Sequence, residues 1–295
     1  MKTLIVEKVD PKKIGELVTV GKILGEEIDI FALGDGVVPG TYGRAFQCSD
    51  IVGANLVGSV AELVRENGYK AVLLSATTLG SELAGRLGAR LGAPVLSEVI
   101  AVSPDMTVKR PLYGGKAVAE YKIAGNPAVL TIRRKYFEPA TLDGSTTAEI
   151  IRISNPPVTL LSEDQVQTLG VRLEDAEMIV SGGRGMGGSD NFSILREMAG
   201  LLNGAVGASR GAVDEGWAPQ TMQVGQTGNI VAPAIYFAVG ISGASQHLAG
   251  IANAKCVVAV NKDEEANIFK RARFGVVCDY KNFMPALIRA IREEQ

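Results

Sequence analysis

Short apolar runs alternate with longer amphipathic runs along the chain. Thr3–Val6, Asp29–Ala32 and Ala71–Ser75 read as strands of four or five apolar-rich residues. Ser81–Leu91 instead places Leu83, Leu87 and Leu91 at helical spacing, with Gly92 and Pro94 to stop the helix. Such alternation predicts α/β layering with mostly parallel sheets. Lys116–Ile123 and Ala128–Ile132 read as two strands around the turn Gly125-Asn126-Pro127. A strand pair late in an α/β domain predicts an antiparallel edge.

Ser154-Asn155-Pro156-Pro157 interrupts the rhythm, because two prolines fit neither a helix interior nor a central strand. The expected division is a domain over 1–165, a linker, and a second domain over 171–295. In the second part, Met178–Ser181 reads as a strand running into the loop Gly182–Gly188. A helix follows, capped by Ser189 or Asp190, with Ile194, Leu195, Met198, Leu201 and Leu202 as its apolar stripe and Gly204 as its stop. Ala205–Ala208, Ile235–Val239, Cys256–Val260 and Gly275–Cys278 are the next predicted strands, and Asn282–Glu294 a closing helix.

Composition narrows the function classes. A length of 295 residues suits two domains. Hydrophobic residues make up 46% and charged residues 21%, as in ordinary globular proteins. The net charge of −2 comes from interspersed charges, with no basic stripe to suggest nucleic acid. Apolar runs are only strand-length, so no membrane insertion is expected. The start, MKTLIVEKVD, lacks the apolar core of a signal peptide, which predicts a cytoplasmic location. Cys48, Cys256 and Cys278 are too dispersed for a CxxC pair or a zinc site. A single histidine, His247, excludes two-histidine metal ligation. Redox chemistry here would need a bound cofactor.

The polar residues gather where the predicted strands of the second part end. Gly182–Gly188 holds five glycines in seven residues between a strand and a helix. Such a loop lets backbone approach a ligand and favours an anion at the helix start, although its spacing is not the usual GxGxxG register. Gly240-Ile241-Ser242-Gly243 ends another strand, and a helix is expected near Ser245, with His247 in its first turn. Ser242 and Ser245 are candidate pyrophosphate contacts. A lone histidine is more often a structural hydrogen bonder, but its place beside an anion site offers a donor to negative charge. Arg210 follows an apolar strand, so its base is expected to be partly buried, with Asp214 or a ligand as partner. Gln223-Val224-Gly225-Gln226-Thr227-Gly228 sets amides and a hydroxyl between glycines, which suits a flat heteroaromatic ring or merely a tight turn. No nucleophile–base pair stands out. The residues alone describe an α/β protein that binds a dinucleotide in its C-terminal domain.

Several runs resemble the signature of electron-transfer flavoprotein alpha subunits. They are Val206-Gly207-Ala208-Ser209-Arg210, Gly216-Trp217, Gln223–Gly228, Val231-Ala232-Pro233, Tyr236–Gly250 and Ala259-Val260-Asn261-Lys262-Asp263, in unbroken order. Ser75–Leu91 and Arg110–Lys122 resemble the family more loosely, and Asp35–Asp50 matches no pattern of it. The resemblance implies an N-terminal α/β nucleotide-hydrolase-like three-layer domain and a C-terminal Rossmann-like FAD-binding parallel-sheet domain. It implies no catalytic residue and no metal, and it implies FAD at a cleft facing a smaller beta subunit. Arg210 would lie against the isoalloxazine ring beside Ser209. Thr227 would reach N5, helped by Gln226 and Gly228, and His247 would sit near O2. Gln223, Ser242 and Gln246 would line the ribityl chain and phosphates, with Gly240, Gly243 and Ser245 in the same turn. Asn261 and Asp279 would hold the adenosine end, near Gly183, Arg184 and Gly185. The beta subunit of the family carries AMP, or a second FAD in electron-bifurcating members that oxidise NADH. Its usual donors are acyl-CoA dehydrogenases of fatty acid beta-oxidation, and its usual acceptor is a quinone oxidoreductase. An NAD-binding enzyme of related fold is the alternative, and it would need an acid or base beyond His247.

Overall fold

The computed structural model describes residues 1–115, 117–162 and 171–294. The chain divides into two compact units, Met1–Asp164 and Gln165–Gln295.

In the first unit the elements run β1 (Thr3–Lys8), α1 (Pro11–Leu24), β2 (Ile28–Leu33), β3 (Val38–Pro39), β4 (Ala45–Cys48), α2 (Gly53–Asn67), β5 (Ala71–Ser75) and α3 (Thr78–Leu91). Then come β6 (Val95–Val99), β7 (Ala101–Val102), β8 (Thr107–Leu112), β9 (Ala117–Lys122), β10 (Ala128–Ile132), β11 (Ser145–Thr146) and β12 (Glu149–Ile150). Among the described residues, seven strands form one sheet in the order β12-β4-β2-β1-β5-β10-β6. Every neighbouring pair is parallel. Alternation along β1 sends Ile5 to one face and Leu4 and Val6 to the other. Ile14, Leu17 and Val18 of α1 cover the first face, and Leu56, Val60, Leu83 and Leu87 of α2 and α3 the second. Each such fully buried side chain contributes about 1.5–3 kcal/mol. Caps set where helices start. Asp10 accepts from the N–H groups of Lys12 and Lys13 before α1, and Thr77 from Gly80 before α3. Gly92, at φ 64°, ends α3.

The expected antiparallel edge is not there. All five residues of β10 are buried, and Ala128–Ile132 lies parallel between β5 and β6 inside the sheet. The preceding strand, mostly exposed, pairs antiparallel with β8 in a separate sheet β7-β8-β9. Lys116, expected to begin that strand, lies outside the described residues. The Ser154–Pro157 break has no regular structure, yet the chain just beyond it is fixed to the first unit. Asn55 Nδ2 donates to the Val158 carbonyl, and Val158 N–H donates to Asn55 Oδ1.

The second unit runs β13 (Met178–Gly182), α4 (Ser193–Leu201), β14 (Ala205–Ala208), α5 (Arg210–Asp214), β15 (Ile235–Val239), α6 (Ser245–Gly250), β16 (Cys256–Asn261), β17 (Phe274–Val277) and α7 (Tyr280–Glu293). Among the described residues, its five strands lie in the order β14-β13-β15-β16-β17, all parallel. Tyr236 and Ala238 face one core with Ile251 and Ile268. Phe237 and Val239 face the other with Leu195 and Met198 of α4 and Met284 and Ile288 of α7. The helix after the glycine loop begins later than expected. Asp190–Phe192 forms a 3-10 turn, and neither Ser189 nor Asp190 caps α4 through its side chain. Asn191 instead donates to the Met186 carbonyl and ties the turn to the loop before it. Among the described residues, no helix is long and apolar enough to cross a membrane.

Candidate functional site

The strand order of the second sheet creates the site. After β13 the chain steps to β14 on one side, then crosses to β15 on the other. The loops leaving β13 and β15 therefore diverge, and a crevice opens at the carboxyl ends of the two strands. Next to the strands the loops lie backbone to backbone. Gly183 N–H donates to the Val239 carbonyl at 2.9 Å, and Gly185 N–H to the Gly240 carbonyl at 3.0 Å. A Cβ on Gly183 would sit 2.1 Å from the Gly240 oxygen. Gly240 itself has φ +62°, in the left-handed region, and its Cβ would meet the Gly185 backbone at 2.9 Å. These glycines let two loops cross, and the amides of Gly183 and Gly185 are spent on that crossing. They do not point at a phosphate.

Beyond the crossing lies a cavity of about 500 Å³, a size typical of small-molecule sites. Arg184, Gly185, Ser209, Arg210, Gln223, Gln226, Thr227, Gly240, Ser242, Gln246, His247 and Asn261 line it. Five expected residues do not. Gly183 is inside the loop crossing, Gly228 sits under Gln223, and Gly243 packs on the Ile268 backbone. The Ser245 hydroxyl turns to Gln246 Oε1 at 3.3 Å. Asp279 accepts from Lys281 N–H as the cap of α7 and pairs with Lys262 at 3.5 Å. Gly211, Val224, Gly225, Ile241, Ala244 and Asp263 complete the lining.

Several polar groups on the wall are held by their elements. Ser209 caps α5 by accepting from Ala212 N–H at 3.4 Å. Arg210, expected to be partly buried, has its side chain 67% exposed and pairs with Asp214 at 3.4 Å. As the first residue of α5 it stands past the end of β14, where the sheet no longer covers it. Asn261 Nδ2 donates to the Ile241 carbonyl and its Oδ1 accepts from Asp263 N–H, so it braces two loops.

His247 is buried, and its Nε2 lies 3.0 Å from the Tyr236 hydroxyl. Tyr236 is fully buried on β15, and burial pushes its pKa up. The phenol therefore keeps its proton, although Ser181 beside it pulls the other way. The Ser181 oxygen makes no well-formed hydrogen bond. Burial also pushes the His247 pKa down to about 4, against the opposing influence of the Val224 backbone. The ring is thus neutral at pH 7, and its Nδ1 has no well-formed partner. The histidine is both a buried structural group and part of the cavity wall. Tyr236, its partner, belongs to the set that sequence reasoning missed, because nothing in the spacing shows that a strand residue reaches the following helix.

Comparison with known proteins decides the family. Residues 172–252 match the Electron transfer flavoprotein FAD-binding domain, and residues 53–158 match the Electron transfer flavoprotein domain. The chain is 45% identical over 240 residues to the electron transfer flavoprotein subunit alpha of Pseudomonas aeruginosa, covering 79% of this chain and 77% of that protein. It is 37% identical over 299 residues to that of Mycobacterium leprae, covering 95% and 94%. The subunit alpha of Paracoccus denitrificans is 43% identical over 221 residues, covering 74% and 72%. The chain belongs to the electron transfer flavoprotein alpha subunit family. Its FAD-binding domain contains most of the cavity wall, and the alpha subunit places Asn261 and Asp263 just beyond the matched segment. The lining fits that cofactor. It offers hydroxyls, amides and the two exposed guanidiniums of Arg184 and Arg210 around one crevice, together with a buried imidazole nitrogen that the protein leaves without a well-formed bond.

Proposed function

We propose that this chain holds FAD in the crevice between β13 and β15, within a FAD-binding domain over 171–295, and carries electrons between proteins. Its partner in this reading is a beta subunit bearing AMP. The donor is a flavin dehydrogenase such as an acyl-CoA dehydrogenase, and the acceptor is a quinone oxidoreductase. One observation carries the reading: the crevice wall supplies hydrogen-bond donors and two arginine cations, and its one histidine is neutral and tied to Tyr236. Such a wall tunes a bound group instead of making or breaking bonds.

Bound FAD supplies reversible electron transfer. The chain's own part is to hold the ring and favour added negative charge. Arg210 and Arg184 supply full positive charges, Thr227 a hydroxyl, and Gln226 and Gln246 amides. Each ~1.4 kcal/mol of preference for the reduced ring raises a one-electron potential by about 59 mV. Arg210 gives a clean test because its side chain is exposed and its Asp214 partner is 63% exposed. Arg210→Ala is expected to change stability by no more than about 0.5 kcal/mol, while FAD retention and flavin potential both fall. Denaturant unfolding and redox titration of the same preparations check this. Unchanged FAD content and potential would remove Arg210 from the site.

The wider assignment is tested on the complex with its beta subunit. One FAD and one AMP per heterodimer fit the carrier. Two FAD would make it an electron-bifurcating complex, and NAD in place of FAD would point to an enzyme.

A further inference from the structure

Gln223 is only 3% exposed and sits at the base of a closed loop. Its N–H donates to the Gln220 carbonyl at 3.0 Å, and its own carbonyl accepts from Asn229 N–H at 2.7 Å and from Asn229 Nδ2 at 3.0 Å. Inside this closure, Gly225 N–H donates to the Asn229 carbonyl and Gly228 N–H to the Gly225 carbonyl, both at 3.1 Å. Gln226 and Thr227 are left at the tip, and both line the cavity. Across the base, Gln223 Nε2 donates to Thr227 Oγ1 at 3.0 Å. A hydroxyl whose oxygen accepts one hydrogen bond still has its own proton to donate. Among the described residues no hydrogen bond takes that proton. Thr227 is exposed, so the proton is available to the cavity.

We infer that Gln223 is a positioning residue, which holds the Thr227 hydroxyl as a donor to an acceptor atom on the heteroaromatic ring of a bound flavin. This rests on the FAD reading above. It changes the place of Gln223, which the family resemblance sets along the ribityl chain and phosphates. In this arrangement Gln223 acts through Thr227. A direct contact to the ligand would make its contribution independent of Thr227.

A double-mutant cycle separates the two. FAD is titrated into apo protein, in the complex with its beta subunit, for wild type, Gln223→Met, Thr227→Val and the double variant. Each single substitution is expected to weaken FAD binding about tenfold, the loss of one hydrogen bond. The double variant is expected to bind about as weakly as Thr227→Val alone, because the two residues form one unit. Thr227→Ser keeps the hydroxyl, so Gln223→Met should cost the same there as in wild type. A double variant weakened about a hundredfold, the product of independent effects, would overturn the inference, as would a Gln223→Met protein with wild-type affinity. A second measurement leaves Gln223 unaltered. Thr227→Val strands a buried amide, so the apo protein should unfold at a lower temperature than wild type, and Thr227→Ser should not. Identical unfolding of all three contradicts the hydrogen bond. A wild type that takes up no FAD overturns the reading beneath; one that binds FAD with an additive cycle overturns this inference alone.

Discussion

Gly183→Ala is expected to abolish FAD binding and to destabilise the second unit by about 3 kcal/mol or more. The added methyl would lie 2.1 Å from the Gly240 oxygen and 2.7 Å from the Gly240 carbonyl carbon and the Ile241 Cα. All three atoms are backbone, so no side chain can swing aside. The loops after β13 and β15 would have to separate, and their two crossing hydrogen bonds would go with them. Those same loops carry Arg184, Gly240 and Ser242 of the cavity wall, so shape and stability fall together. Gly200 provides the control. It lies within α4, nothing would come within 4 Å of its Cβ, and Gly200→Ala should be neutral or stabilising by up to ~1 kcal/mol. Denaturant unfolding with FAD titration of both variants checks this. A Gly183→Ala protein that unfolds and binds like wild type would show that the close crossing does not shape the site.

Acid should cost the protein stability through His247. Its pKa falls from 6.5 to about 4 on folding because burial penalises the charged ring. The unfolded chain therefore binds the proton first as pH drops. The stabilisation is complete above pH 6.5 and is lost as pH falls from there to about 4. That span corresponds to roughly 3 kcal/mol. Burial raises the pKa of Glu16 and Glu98, so the folded chain takes up their protons first and they offset part of the acid loss. Comparison with His247→Gln isolates the histidine. Urea unfolding between pH 4 and 7.5 is expected to show a steeper pH dependence for wild type than for the variant. Parallel profiles would mean that the ring is not held neutral. With His247 neutral, the full positive charges on the cavity wall are those of Arg184 and Arg210.

Much of the fold was readable because strands buried on both faces have a plain apolar signature. Ala71–Ser75, Ala128–Ile132, Ala205–Ala208 and Ile235–Val239 match the predicted ranges residue for residue. Pairing was less readable. A buried strand reads the same whether it lies at an edge or in the middle, and β10 joins β5 and β6 through contacts distant in sequence. The start of α4 was misplaced because a polar pair, Ser189-Asp190, resembles a cap wherever it occurs, and here a 3-10 turn intervenes. In the candidate site, most of the residue types noted at strand ends come together around one crevice. What they left hidden is how atoms are used: the amides of Gly183 and Gly185 are consumed by neighbouring backbone, Arg210 is exposed, and Tyr236 reaches His247. Hydrogen-bond partners across the sheet depend on tertiary approach, which no local pattern encodes.

The most direct measurement is the visible absorption spectrum and FAD content of the chain purified with its beta subunit, repeated after removal and re-addition of FAD. A yellow complex that takes up one FAD per alpha subunit, and loses that uptake with Gly183→Ala, is the expected result. A colourless complex that refuses added FAD, or one whose uptake ignores changes at Gly183, Arg210 and Thr227 alike, would contradict a flavin in the crevice of the second sheet.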